Sequence, residues 1–159
     1  MELPEPHRLA VQRLIDLLPL REVNWALTGS VAHRLQGADL ECRDVDVQTD
    51  EHDAYEVAAR LNRWVVERVA LRSSAQIQSH FGRLHFDDLG LDVEVMGAIR
   101  KRTPEGLWGP PTDPAHHRML IPFGVHLVPV LSLHYEAEAY EALGRRGRAA
   151  ILRGLAPDI

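Results

Sequence analysis

The sequence predicts an α+β protein, a mixed β-sheet flanked by helices and ending in a helical C-terminus. Three observations predict it. Helical and strand patterns interleave over the first sixty residues. The middle of the chain is dominated by period-two alternation, clearest in "RLHFDDLGLDVEVMG". The last thirty residues, "LSLHYEAEAYEALG" and "RRGRAAILRG", read as helices. A chain of 159 residues suits a single domain over 1–159, long enough to bury roughly two thirds of its unfolded surface.

Each element has its own signal. Pro6 opens a helix to about Leu18, with Leu9, Val11, Leu14, Leu17 and Leu18 on one side, and Pro19 stops it. "NWALTG" is a short buried strand ending at Gly29. Ser30 is an N-cap for a helix through Leu35, which Gly37 ends. "DVDVQ" is a strand. Thr49 or Asp50 caps the next helix, whose apolar side is Tyr55, Val57, Ala58 and Leu61. "WVVERVA" is a strand, and "AQIQSHFG" fits either strand or helix. "RLHFDDLGLDVEVMG" is a hairpin turning near Asp87–Gly90. "KRTPEGLWGPPTDP", rich in Pro and Gly, is a loop, followed by short strands at Met119–Ile121 and Val125–Val128.

Composition narrows the function. Hydrophobic residues make up 45%, with no apolar run of about 18 residues, so no membrane span is expected. The acidic, amphipathic N-terminus does not resemble a signal peptide. The one cysteine, Cys42, excludes an internal disulfide framework or a multi-cysteine zinc site and points to a reducing cytoplasm. A net charge of −5 argues against a broad nucleic-acid surface.

The chemistry gathers in "LTGSVAHRLQGADLECRDVDV". Side chains two apart on a strand point the same way, so Asp44 and Asp46 share one face while Val45 and Val47 take the other. Two adjacent anions call for a shared cation, and Mg²⁺ prefers such oxygen ligands while leaving positions open for phosphate. "GLDVEVMG" repeats the alternation, with Asp92 and Glu94 on one face and Leu91, Val93 and Val95 on the other. If the two strands are close, three carboxylates can hold two metal ions for an in-line displacement at phosphorus. Upstream, a strand ending in Gly29-Ser30 and feeding a helix offers backbone N–H groups and a hydroxyl to phosphate.

The Gly-Ser pair, the spacer over 31–43 and the two acids flanking an apolar residue resemble the signature of the DNA polymerase beta-like nucleotidyltransferase superfamily. "HFGRLHF…LDVEVMG", "GLW" and "VPVLSLHYEAEAYEALGR" resemble its branch of small single-domain members, over most of the chain after Asn24. The resemblance implies transfer of a nucleoside monophosphate from an NTP to an acceptor hydroxyl. It implies that Gly29 and Ser30 hold the terminal phosphates, and that Asp44, Asp46 and a third acid ligate Mg²⁺, with Mn²⁺ as an alternative. Its setting, "VEVMG", favours Glu94 as the third acid; the geometry of one strand does not separate it from Asp92. The acceptor, the base of the NTP and the oligomeric state are not specified.

Other residues carry weaker signals. Arg43, just before the acid pair, and Arg34, one turn after Ser30, could touch phosphate or lie at the surface. Arg100, Lys101 and Arg102 could clamp a triphosphate or belong to a solvated loop, and Arg145–Arg148 could contact RNA or mark a helix end. His116–His117 lack a zinc pattern, Ser30 has no His–Asp partners, and Trp25, Trp64 and Trp108 suit packing. A haloacid dehalogenase-type phosphatase partly fits "DVDVQ", but Gln48 stands where that pattern needs Thr or Val. A metal-dependent glycosyltransferase does not explain "TGS". A degenerate nucleotidyltransferase fold that binds without turnover is the non-enzymatic alternative.

Overall fold

A computed structural model describes residues 2–156. Seven strands form one mixed sheet: β1 (Trp25–Thr28), β2 (Val45–Thr49), β3 (Val65–Ser73), β4 (Ile77–Phe86), β5 (Leu91–Lys101), β6 (Arg118–Phe123) and β7 (His126–Leu131). Their order is β3-β4-β5-β2-β1-β7-β6. The β5–β2 and β1–β7 pairs are parallel and the others antiparallel. Five helices accompany them: α1 (Glu5–Leu17), α2 (Gly29–Leu35), α3 (Glu51–Arg60), α4 (Leu133–Ala142) and α5 (Arg146–Leu155). The expected mixed architecture with a helical C-terminus is therefore present, and "AQIQSHFG" is strand.

The inner strands β5, β2 and β1 carry the core. Val45, Val47, Val93 and Val95 are fully buried, packed with Ala10, Val11 and Leu14 of α1 and Ala54 and Val57 of α3. Burying each such side chain is worth about 1.5–3 kcal/mol. Trp25 anchors the end of α1, its buried Nε1–H donating to the Leu18 carbonyl at 2.6 Å. Gly97 lets α3 lie close to β5, since a Cβ there would stand 2.6 Å from Ala54 Cβ.

Two helix faces differ from the sequence expectation. The buried stripe of α1 is His7, Ala10, Val11 and Leu14, while Leu9 and Leu17 are exposed. In α3 the buried side is Asp53, Ala54 and Val57, while Tyr55 is exposed with its hydroxyl bonded to His80 Nδ1 at 2.8 Å. Both buried stripes follow the narrow i, i+3, i+4 spacing, and the expected arcs were too wide. The cap of α3 is Asp50, which accepts from the Asp53 N–H at 2.7 Å.

The opposite face of β1, β2 and β5 is roofed by α4 and α5. These helices share a small apolar cluster of Leu133, Ala137 and Leu152. The cleft between roof and sheet holds the acids. Among the described residues no helix is long and apolar enough to cross a membrane.

Candidate active site

The two acidic strands are neighbours. β2 and β5 run parallel with Asp46 opposite Glu94, Val45 opposite Val93 and Val47 opposite Val95. This register sends the valines into the core and the acids into the cleft. Asp46 and Glu94 line one cavity, and Asp44, one residue before β2, lines it too. Convergence of the three carboxylates, expected from alternation alone, is present.

Electrostatics reflect this crowding. Burial, then the nearby Glu94 and Asp44 carboxylates, push the Asp46 carboxyl up to about 8. Burial, with Glu94 and Asp92 nearby, also raises Asp44. Arg83 Nη2 donates to Glu94 Oε1 at 3.0 Å, while its Nη1 reaches Glu67 at 3.2 Å. Asp92 stands near Asp44 but pairs with His85 Nδ1 at 2.7 Å and, unlike Glu94, does not line the cavity.

Gly29-Ser30 borders the acids at the start of α2. Gly29 has φ +71°, and a Cβ there would overlap Asp46 Oδ2. Only glycine allows this turn to touch the acid strand. Ser30 is not the N-cap expected. Thr28 occupies that position, and Ser30 Oγ accepts the Arg43 N–H at 3.0 Å. Its own O–H is then left to donate into the cavity. His7 Nε2 meets the Arg43 carbonyl at 2.8 Å, so the Arg43 peptide is held on both sides and Asp44 follows a fixed segment. The Arg43 side chain lines the cavity. Arg34 does not, since its guanidinium donates to the carbonyls of Glu2 and Leu40.

The roof supplies residues that the sequence reading left at the surface. Glu136, 2% exposed, accepts from Thr28 Oγ1 and lies 3.2 Å from His33 Nε2. Arg148 Nη1 lies 3.0 Å from His33 Nδ1. Because Arg can only donate, this chain puts the His33 proton on Nε2, facing Glu136. Tyr140 packs edge-on against His33, its hydroxyl raised by burial and by Glu136. Arg145 and Arg148 line a polar cavity of about 350 Å³ together with Ser30, Arg43 and Asp44. The one sequence signal for them was the basic run 145–148, which is too common to assign.

Of the three basic residues after β5's acids, Arg100 and Arg102 are structural. Arg100 donates to the Gly109 carbonyl, and Arg102 donates to Ala75 and Gly106 and stacks on Trp108. Lys101 turns into the cleft. His117 stacks on Tyr135 at 3.9 Å. Among the described residues no group of three or more His, Cys, Asp or Glu stands gathered closely enough to hold a metal ion as the side chains now lie. Glu94 is drawn toward Arg83, an arrangement a cation would have to displace.

Comparison with known proteins agrees with this geometry. A candidate nucleotidyltransferase of Thermotoga maritima is 42% identical, with a TM-score of 0.82, over 96% of this chain and 94% of that one. A lincosamide antibiotic adenylyltransferase, solved with lincomycin bound, superposes with a TM-score of 0.58 at 13% identity, over 98% of this chain and all of that one, and so shares the fold. No curated protein matches. The family model of the aminoglycoside-2''-adenylyltransferases matches residues 10–152, and the chain belongs to that nucleotidyltransferase family.

Proposed function

We propose that the protein is a metal-dependent nucleotidyltransferase that moves a nucleoside monophosphate from an NTP to an acceptor hydroxyl. The observation that carries the reading is the parallel β2–β5 register. It sets Glu94 against Asp46, beside Asp44 and directly under Gly29-Ser30. The anionic crowding that lifts Asp46 to about 8 is the crowding a divalent cation relieves, so the donor set fits Mg²⁺ or Mn²⁺ on Asp44, Asp46 and Glu94. Such ions would neutralise phosphate charge and make the acceptor hydroxyl more acidic.

The chain's own groups do the rest. The backbone of Gly29 and Ser30, the free Ser30 O–H and the Arg43, Arg145 and Arg148 guanidinium groups bind and orient the triphosphate. The acceptor oxygen bonds to the α-phosphorus as the bond to the bridging oxygen breaks. Pyrophosphate leaves with the electron pair, and Glu94 accepts the hydroxyl hydrogen. Positioning and charge placement supply most of the acceleration. The single free thiol, Cys42, fits a cytoplasmic site of action.

Incubation with each α-labelled NTP, Mg²⁺ and fractionated cell extract tests the reading. Transfer of label into one fraction, dependent on Mg²⁺, is expected. Mg–NTP binding with no label transferred to any fraction would favour a binding protein without turnover.

A further inference from the structure

The sheet has two edges, and they are built differently. The β3 edge is guarded. Its pairing with β4 shifts between Val65 and Glu67 and again between Glu67 and Ala70, and the strand carries Glu67, Arg68 and Arg72. Bulges and charges of this kind keep an edge strand from pairing with another chain. β6, at the other edge, has neither device. Its pairing with β7 runs unbroken from Arg118 opposite Leu131 to Phe123 opposite His126. Its one charged side chain, Arg118, is committed within the chain, with Nη1 donating to Asn24 Oδ1.

The register shows which backbone groups the β6 edge leaves open. The Ser132 N–H donates to the His117 carbonyl at 2.8 Å, so the odd-numbered residues His117, Met119, Ile121 and Phe123 bond toward β7. The N–H groups of Arg118 and Leu120 then point away from the sheet, as do the carbonyls of Arg118, Leu120 and Pro122. Among the described residues no other backbone segment meets them. Pro122 falls on this outward side, where its missing N–H costs the β6–β7 ladder nothing.

Apolar side chains flank the open edge. Ile121 and Phe123 pack on the core, while Leu120, 50% exposed, and Leu127, 55% exposed, share the opposite face. The two ends of β6 differ in charge. Glu2 and Glu5 stand beside Pro122, Phe123 and Gly124, with Arg8, bonded to Glu5, as the cation there. The other end holds Arg118 and the exposed His116, whose ring lies 3.9 Å from Asp113.

We infer that β6 is a homodimer interface, in which two copies of the chain pair their β6 strands antiparallel about a two-fold axis at Leu120 and so join their sheets edge to edge. The Leu120 N–H of each copy donates to the Leu120 carbonyl of the other, and the Arg118 N–H of each donates to the Pro122 carbonyl of the other. Both outward donors are satisfied, and the proline removes only the return bond. Leu120 meets Leu120 on one face, and Met119 meets Ile121 on the other. A second copy fits as the occupant because the two-fold sets the acidic end of each strand beside the basic end of its mate. The guarded β3 edge closes the assembly at two. A strand this short makes a small interface, so the dimer dissociates on dilution. The inference is independent of the transfer reading.

The test is sedimentation equilibrium of the full chain over a micromolar concentration series. The variants are Leu120→Lys, Val66→Lys on the β3 edge, and Leu120→Cys in a Cys42→Ser background. The wild type should show a monomer–dimer equilibrium, and Val66→Lys should match it. Leu120→Lys sets two ammonium groups face to face and should raise the dimer dissociation constant at least about tenfold, with an unchanged circular dichroism spectrum. Opposed residues of such a pair have Cα atoms about 5.5 Å apart, within disulfide reach, so Leu120→Cys should yield a covalent dimer under mild oxidation. If Leu120→Lys loses its fold, the cross-link alone decides. A wild type monomeric throughout the series would overturn the inference and leave the edge to a strand of a different protein. A dimer that survives Leu120→Lys, or that Leu120→Cys fails to cross-link, would place the interface elsewhere and overturn it as well.

Discussion

Asp46→Asn should make the metal-free protein more stable, and by an amount that grows with pH. The folded state raises the Asp46 carboxyl from 3.8 to about 8. It therefore binds a proton that the unfolded chain releases. The stability from holding that proton is fully present below pH 3.8 and is lost as pH rises through about 8. Asparagine is close in shape, cannot ionise and escapes this loss. A shift of about four units at about 1.4 kcal/mol each sets a ceiling of about 6 kcal/mol above pH 8. Water entering the cleft and movement of the Glu94 and Asp44 carboxylates relieve part of it, so about 1–3 kcal/mol is expected at pH 8.5. The assay is urea unfolding of wild type and variant in EDTA between pH 5 and 9. A variant less stable than wild type at pH 8.5, or a stability gap that does not widen with pH, would refute the reasoning.

Gly29→Ala forces a Cβ onto Asp46 Oδ2 at φ +71° and should cost about 1–3 kcal/mol in urea unfolding, with weaker Mg–NTP binding as Asp46 is displaced. Mg–NTP should stabilise the wild type by mass action, about 2.7 kcal/mol at a hundredfold excess over its dissociation constant. Most of that rise in melting temperature should vanish in the Asp44→Asn, Asp46→Asn double variant; an equal rise would remove these two acids from the site.

The acid face was legible because a strand's period is two. "DVDV" and "LDVEV" each declare which residues leave the core, and the match between them foretold that the strands meet. What one strand cannot declare is its register. Asp92 and Glu94 are equivalent by alternation and differ because Glu94 falls opposite Asp46, while Asp92 falls opposite His85. The bulge in β5, where the β4–β5 pairing slips beside Ala98, was hidden for a related reason. Nothing in "MGAIRK" marks a positive φ at alanine, so Lys101 and Ile99 could not be assigned to the cleft. Ser30 looked like a cap because Gly-Ser before a helix usually is one. The left-handed Gly29 starts the helix two residues earlier and frees Ser30 for Arg43. The roof was the least visible part. Glu136 and Arg148 have the look of ordinary helix-surface charges, and only contacts more than 100 residues away, to Thr28 and His33, show otherwise.

The central claim is that Glu94 completes the acid set that performs transfer. The most direct measurement follows α-labelled NTP into the acceptor-bearing fraction for the wild type, Glu94→Gln and Asp92→Asn, with Mg–NTP binding measured alongside. The account predicts that Glu94→Gln still binds Mg–NTP through Gly29, Ser30, Asp44 and Asp46 but loses about 10²-fold or more in transfer, the scale of removing one group placed for transition-state charge. Asp92→Asn, which disturbs the pair with His85, should transfer at near wild-type rate. Transfer that survives Glu94→Gln but collapses in Asp92→Asn would contradict it.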